Sequence, residues 1–197
     1  DGRAAHGFGS MPLASTWAFP SRDMAFDQTQ QAMCVLSERC ASLCNDFGEF
    51  GHPMDLGVAL EEHFLAAAAE VSRELNLTQP IPKLCTLVCG SAFDAALHDA
   101  FGKAHGLNCY HTCTREFMNR DLGAYLGDGF AGEYPDAYVR REPLPRMPLY
   151  HLIGALDPLD DGELKDPVGD GLPETLPQWI HFNGLTHLKI KLNGDDL

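Results

Sequence analysis

The chain has 197 residues, 45% of them hydrophobic, which is ordinary globular composition and length enough for one or two domains. Fourteen Lys and Arg against 28 Asp and Glu leave a formal charge of −14, with no basic cluster to follow a phosphate backbone, so nucleic acid is not an expected partner. No apolar run reaches the ~20 residues of a membrane helix, and the opening has no signal pattern, so a cytoplasmic location is expected.

The opening "RAAHGFGS" reads as a short strand ending at glycines. It leads into a loop, "MPLASTWAFPS", with two prolines and an exposed tryptophan. From Met33 the period changes: Leu36, Cys40, Leu43 and Phe47 recur at three- and four-residue steps, and Gly48 stops the amphipathic helix they predict. A second helix begins near Pro53 or Asp55 and carries the stripe Leu56, Leu60, Phe64, Ala67, Val71 and Leu75. The third, "LCTLVCGSAFDAALHDAFGKAHG", is apolar on more than one face and ends at Gly106, which predicts a helix sandwiched between layers. On its wet side Asp99 and Lys103 are one turn apart and can pair.

Residues 107 to 146 are less regular, with one short helix expected in "REFMNRDLGAYLGDG" and loop thereafter, and they form the expected boundary between a domain at 1–146 and a second at 147–197. Beyond it, "MPLYHLIGALDPL" is an apolar strand, "LPETLPQWIHF" a helix with proline in its first turn, and "HLKIKLNG" another strand. Strand, helix, strand with these connections is a βαβ unit with parallel strands. In the last strand Lys189 and Lys191 share one face at ~6.5–7 Å spacing, with Leu188, Ile190 and Leu192 on the other. Taken alone, such a strand reads as an amphipathic edge with its lysines in water.

Seven cysteines at irregular spacing, in a chain too large to need disulfide staples, read as reduced thiols. Cys40 and Cys44 lie one helical turn apart, and His111 falls between Cys109 and Cys113, but neither group has paired CxxC spacing. Buried thiols are expected instead of a metal site. His98, His151 and His181 lie on different elements and read as core or surface histidines. No GxGxxG, GxxxxGK[ST] or GxSxG loop is present.

The stretch "SAFDAALHDAFGKAHGLNCY" resembles the end of the N-terminal capping domain in the mandelate racemase and muconate lactonizing enzyme branches of the enolase superfamily. That region carries the pattern A-x-x-D-x-x-G-K-x-x-G, and Ala96, Asp99, Gly102, Lys103 and Gly106 stand at its positions. The opening "HGFGS" is similar to the family's G-x-G-E strand end, with Ser10 in place of the acid. Lys189-Ile190-Lys191 falls where the family keeps its catalytic base.

The resemblance implies an α+β capping domain, a strand and then mainly helices, followed by the start of a (β/α)8 barrel. A barrel usually needs ~250 residues, so the resemblance implies a chain that carries only the first two strands and first helix and is inactive by itself. It further implies a Mg2+-dependent lyase or isomerase (dehydratase, racemase, epimerase or cycloisomerase) acting on a small carboxylate, homo-oligomeric when complete. Lys191 would abstract the proton α to the carboxylate and Lys189 would neutralise that carboxylate, giving an enediolate. The Mg2+ ligands of the family lie on later barrel strands, so no metal ligand is assigned here. Met11, Leu13 and Trp17 correspond to a loop that closes over substrate, with a loop packed permanently on its own domain as the other reading. The competing class is a noncatalytic α+β binding or oligomerisation module with solvent-facing lysines.

Overall fold

A computed structural model describes residues 3–192; Asn193 to Leu197, the last part of the final predicted strand and its tail, lie outside the described residues. Its elements are α1 (Ser15–Ala18), α2 (Phe26–Asp46), α3 (Pro53–Glu74), α4 (Lys83–His105), α5 (Gly123–Leu126), β1 (His151–Ile153), α6 (Leu176–Asn183) and β2 (Leu188–Ile190), with short 3-10 turns between. The chain divides into two compact units, Asp1–Arg141 and Glu142–Leu197. No helix among the described residues is long and apolar enough to cross a membrane.

The first unit is built on α2, α3 and α4. Each presents its apolar stripe to the other two: Met33, Leu36 and Cys40 from α2, Leu60, Phe64 and Val71 from α3, and Cys85, Val88 and Cys89 from α4 are all buried, with Phe19 from the end of α1. At about 1.5–3 kcal/mol for each large apolar side chain buried, this packing outweighs the few tenths of a kcal/mol by which helix propensities differ. Glycine makes one of the contacts possible: a Cβ on Gly90 of α4 would sit 2.8 Å from the Phe64 ring.

The helix ends follow from local chemistry. α2 starts at Phe26, seven residues before the first apolar repeat, because the Gln28 Oε1 accepts the Ala25 N–H at 3.0 Å, half of a capping box. α3 is capped by His52, whose Nδ1 accepts the Met54 N–H at 3.2 Å, and Pro53 follows as its first residue. α4 stops where Gly106 turns left-handed, φ 67°, and the Leu107 N–H returns to the Gly102 carbonyl at 2.9 Å.

The strand expected at "HGFGS" is absent. That segment runs extended along α4 instead, so close that a Cβ on Gly7 would stand 1.9 Å from the Ala96 carbonyl oxygen and one on Gly9 1.8 Å from that of Ala92. The Phe8 N–H finds its acceptor on the Asp99 carboxylate at 2.8 Å. Its partner is a helix side chain, so no sheet forms among the described residues of this unit.

In the second unit β1 and β2 pair in parallel, with His151 opposite Leu188, Leu152 opposite Lys189 and Ile153 opposite Ile190. α6 lies between them in sequence and ends at Gly184, φ 60°. This is the βαβ unit read from the sequence. The pair of three-residue strands is the whole sheet among the described residues, and no barrel is formed.

Candidate functional site

Alternation along β2 puts Lys189 on the face of Leu152, and Leu188 and Ile190 on the face of His151 and Ile153. The second face meets α6: the His151 ring lies 5.2 Å from the Trp179 ring, and Ile153 is buried. Lys189 therefore stands on the face away from His151 and Trp179. Leu188 and Ile190 remain 41% and 58% exposed, so the apolar side of β2 is only partly covered.

Lys189 Nζ lies 5.4 Å from the centre of the Tyr150 ring, within cation–π range. Tyr150 precedes β1 and shares the Leu152 face, which the sequence could not reveal because the register of two strands is not local information. Lys191 follows directly after β2, and its N–H continues the ladder by donating to the Ile153 carbonyl at 3.0 Å. Both lysines are exposed. They stand at the C-terminal end of a parallel strand, where barrel enzymes place their chemistry.

The loop from β1 to α6 is rich in acids, and the structure shows what most of them do. Asp157 accepts the Gly154 N–H at 2.7 Å, Glu174 accepts those of Val168 and Gly169 at 2.7 and 2.9 Å, and Asp161 accepts from Thr175 Oγ1 and Gln178 Nε2. These carboxylates tie down a backbone that has no ladder of its own. Beside β1 they leave a cavity of about 530 Å³ lined in part by His151, Lys165, Thr175 and Trp179, which no sequence motif announced.

Met11, Leu13 and Trp17 belong to the first unit. Leu13 packs against the helical core, whereas Met11 and Trp17 are 37% and 54% exposed. The loop is fastened at its far end by Ala18 and Phe19, both 1% exposed. It thus combines an anchored base with an outward-facing tryptophan.

Among the described residues no three His, Cys, Asp or Glu side chains come together to hold a metal ion. In comparisons with known proteins, no family model matches the chain, no curated protein matches it, and no solved structure matches it.

Proposed function

We propose that this chain belongs to a proton-abstracting enzyme of the enolase superfamily, with Lys191 as the base and Lys189 as the cation that receives the substrate carboxylate. The observation that carries the reading is the position of the lysine pair at the end of a parallel βαβ strand, later in the sequence than a helix bearing Ala96, Asp99, Gly102, Lys103 and Gly106.

Lys191 Nζ, as a neutral amine, takes the α-proton while the C–H electron pair moves toward the carboxylate. The Lys189 ammonium offsets the charge that builds there. Tyr150 under Lys189 limits where that ammonium can go. The metal ion of such an enzyme would add further charge neutralisation. Substrate is a small carboxylic acid with a proton on its α-carbon.

The exposure of both lysines favours the second reading, a noncatalytic module with a solvated lysine strand. One experiment separates the two. Full-length protein is incubated in D2O with Mg2+ and a panel of carboxylic acids carrying an α-proton, and loss of the α-proton NMR signal is followed. Exchange that disappears in Lys191→Ala supports the base. Exchange that is unchanged in Lys191→Ala removes the assignment, and no exchange with any acid favours the module.

A further inference from the structure

In the first unit, α2, α3 and α4 border a half-open cavity of about 320 Å³, at the lower end of the ~300–1,000 Å³ usual for small-molecule sites. Its walls are apolar, with Leu60 and Phe64 from α3 and Leu87 and Leu97 from α4. The half-exposed carboxylate of Asp94 stands beside them, and Gly57 is what lets it do so. A Cβ on Gly57 would lie 2.8 Å from Asp94 Oδ1, so any side chain at that position would displace the carboxylate.

No lysine or arginine lines this cavity. Glu61, its other acid, is paired with Lys83 at 2.5 Å. Asp94 has no Lys or Arg partner among the described residues, and its nearest cation-forming group is His98 Nε2 at 3.8 Å. The Cys44 thiol in the lining is pushed up by burial and by the Asp94 charge and stays neutral. One carboxylate against apolar walls is complementary to one kind of small ligand. An ammonium gains a charge-assisted hydrogen bond there, a neutral alcohol gains only the apolar contact, and an anion meets like charge.

We propose that this cavity binds a small apolar amine, its ammonium on Asp94 and its apolar body against Phe64, Leu87 and Leu97. The site is separate from the lysine strand and stands or falls independently of the enzymatic reading.

The ε-methyl of Met54, which also lines the cavity, is the reporter. The full chain, labelled with 13C at methionine methyls, is titrated at pH 7.5 with phenethylammonium, 2-phenylethanol and 3-phenylpropionate. The amine should shift the Met54 signal saturably and bind roughly tenfold or more tightly than the alcohol, while the carboxylate leaves the signal in place. Asp94→Asn should bring amine and alcohol to the same affinity. Leu87→Trp, at a partly exposed position, should fill the cavity and abolish both shifts. Equal binding of amine and alcohol by the wild-type protein overturns the proposal, as does an amine preference that survives Asp94→Asn or a shift that survives Leu87→Trp. Should Asp94→Asn fail to fold, the wild-type comparison of the three probes decides the matter.

Discussion

Lys103 Nζ lies 2.6 Å from Asp99 Oδ2, the same oxygen that accepts the Phe8 N–H at 2.8 Å, so one ion pair on α4 holds the N-terminal segment against the helix. Lys103 also donates to the His6 carbonyl at 3.3 Å and lies over the Phe8 ring. The neighbouring motif residues serve the same seam and the turn beyond it. The Gly7 backbone meets α4 at Ala96, and the returning chain at Leu107 and Cys109 leaves no room for a Cβ on Gly102. The spacing A-x-x-D-x-x-G-K-x-x-G thus has a structural reason in this chain, whatever its enzymology.

Removing the carboxylate should loosen the segment without unfolding the helices. In Asp99→Ala, amide hydrogen exchange at residues 6–10 is expected to accelerate while that of the α2, α3 and α4 cores stays slow. Gly7→Ala should displace the segment more completely, because its Cβ has nowhere to go. Wild-type protection of residues 6–10 in Asp99→Ala would show that the ion pair does not hold them.

His52 makes stability sensitive to acid. It is 1% exposed; its Nδ1 accepts the Met54 N–H, and its Nε2 faces Thr112 Oγ1 at 3.3 Å, whose own hydroxyl donates to the Cys109 carbonyl. That pattern fixes the neutral ring with its proton on Nε2. Burial, followed by the neighbouring His98, pushes the His52 pKa down from 6.5 to about 4, against smaller opposing effects of Asp55 and Thr112. The unfolded chain takes a proton near pH 6.5 and the folded one refuses it until about 4. The contribution is therefore complete above pH 6.5 and lost as pH falls to 4, about 3 kcal/mol in all. Urea unfolding at pH 7 and pH 4 measures it. His52→Asn keeps a capping oxygen that does not titrate, so the variant should lose less stability across that window. An identical loss in both proteins would assign the acid sensitivity to other groups.

Asp55 ties residues 119–125 to the start of α3. Its Oδ1 accepts from Tyr125 OH at 2.6 Å and from Arg120 Nε at 2.7 Å, and its Oδ2 accepts the Asn119 N–H at 3.2 Å. Burial alone would raise the carboxyl, but the hydrogen bonds from Tyr125, Arg120 and Asn119 outweigh it and hold Asp55 below the usual carboxylate range. Tyr125→Phe deletes a single donor to a charge with an 11% exposed side chain, and should cost about 1.5–3 kcal/mol in denaturant unfolding. A cost near zero would mean that Arg120 and water replace the hydroxyl.

The three long helices were legible because apolar residues repeat at helical steps, and the α4 stop was legible in Gly106. The start of α2 was not, since "FDQTQQA" is polar and its limit is set by the Gln28 side chain. An extended glycine-containing segment looks the same in sequence whether its neighbour is a strand or a helix, which is why residues 6–10 read as a strand. At the candidate site, alternation put Lys189 and Lys191 on one face, but Tyr150 depends on register. The roles of His52 and Asp55 were not legible, because their partners lie 60 and 70 residues away, in Thr112 and Tyr125.

The cysteines offer a chemical measure of the core. Cys40 is fully buried, and burial, then Cys89 and Cys44, push its thiol up to about 12. Cys85 is raised by its hydrogen bond with Cys89 and by burial. Thiolate is the reactive form, so these positions lack both access and ionisation. Cys34, on the exposed side of the same helix as Cys40, has access. Iodoacetamide at pH 8 should therefore alkylate Cys34 first, with Cys40 and Cys85 protected until denaturant opens α2 from α4. Peptide mass spectrometry over a time course reads the order directly. Modification of Cys40 at the rate of Cys34 in native buffer would show that the α2 and α4 stripes are not packed together in solution.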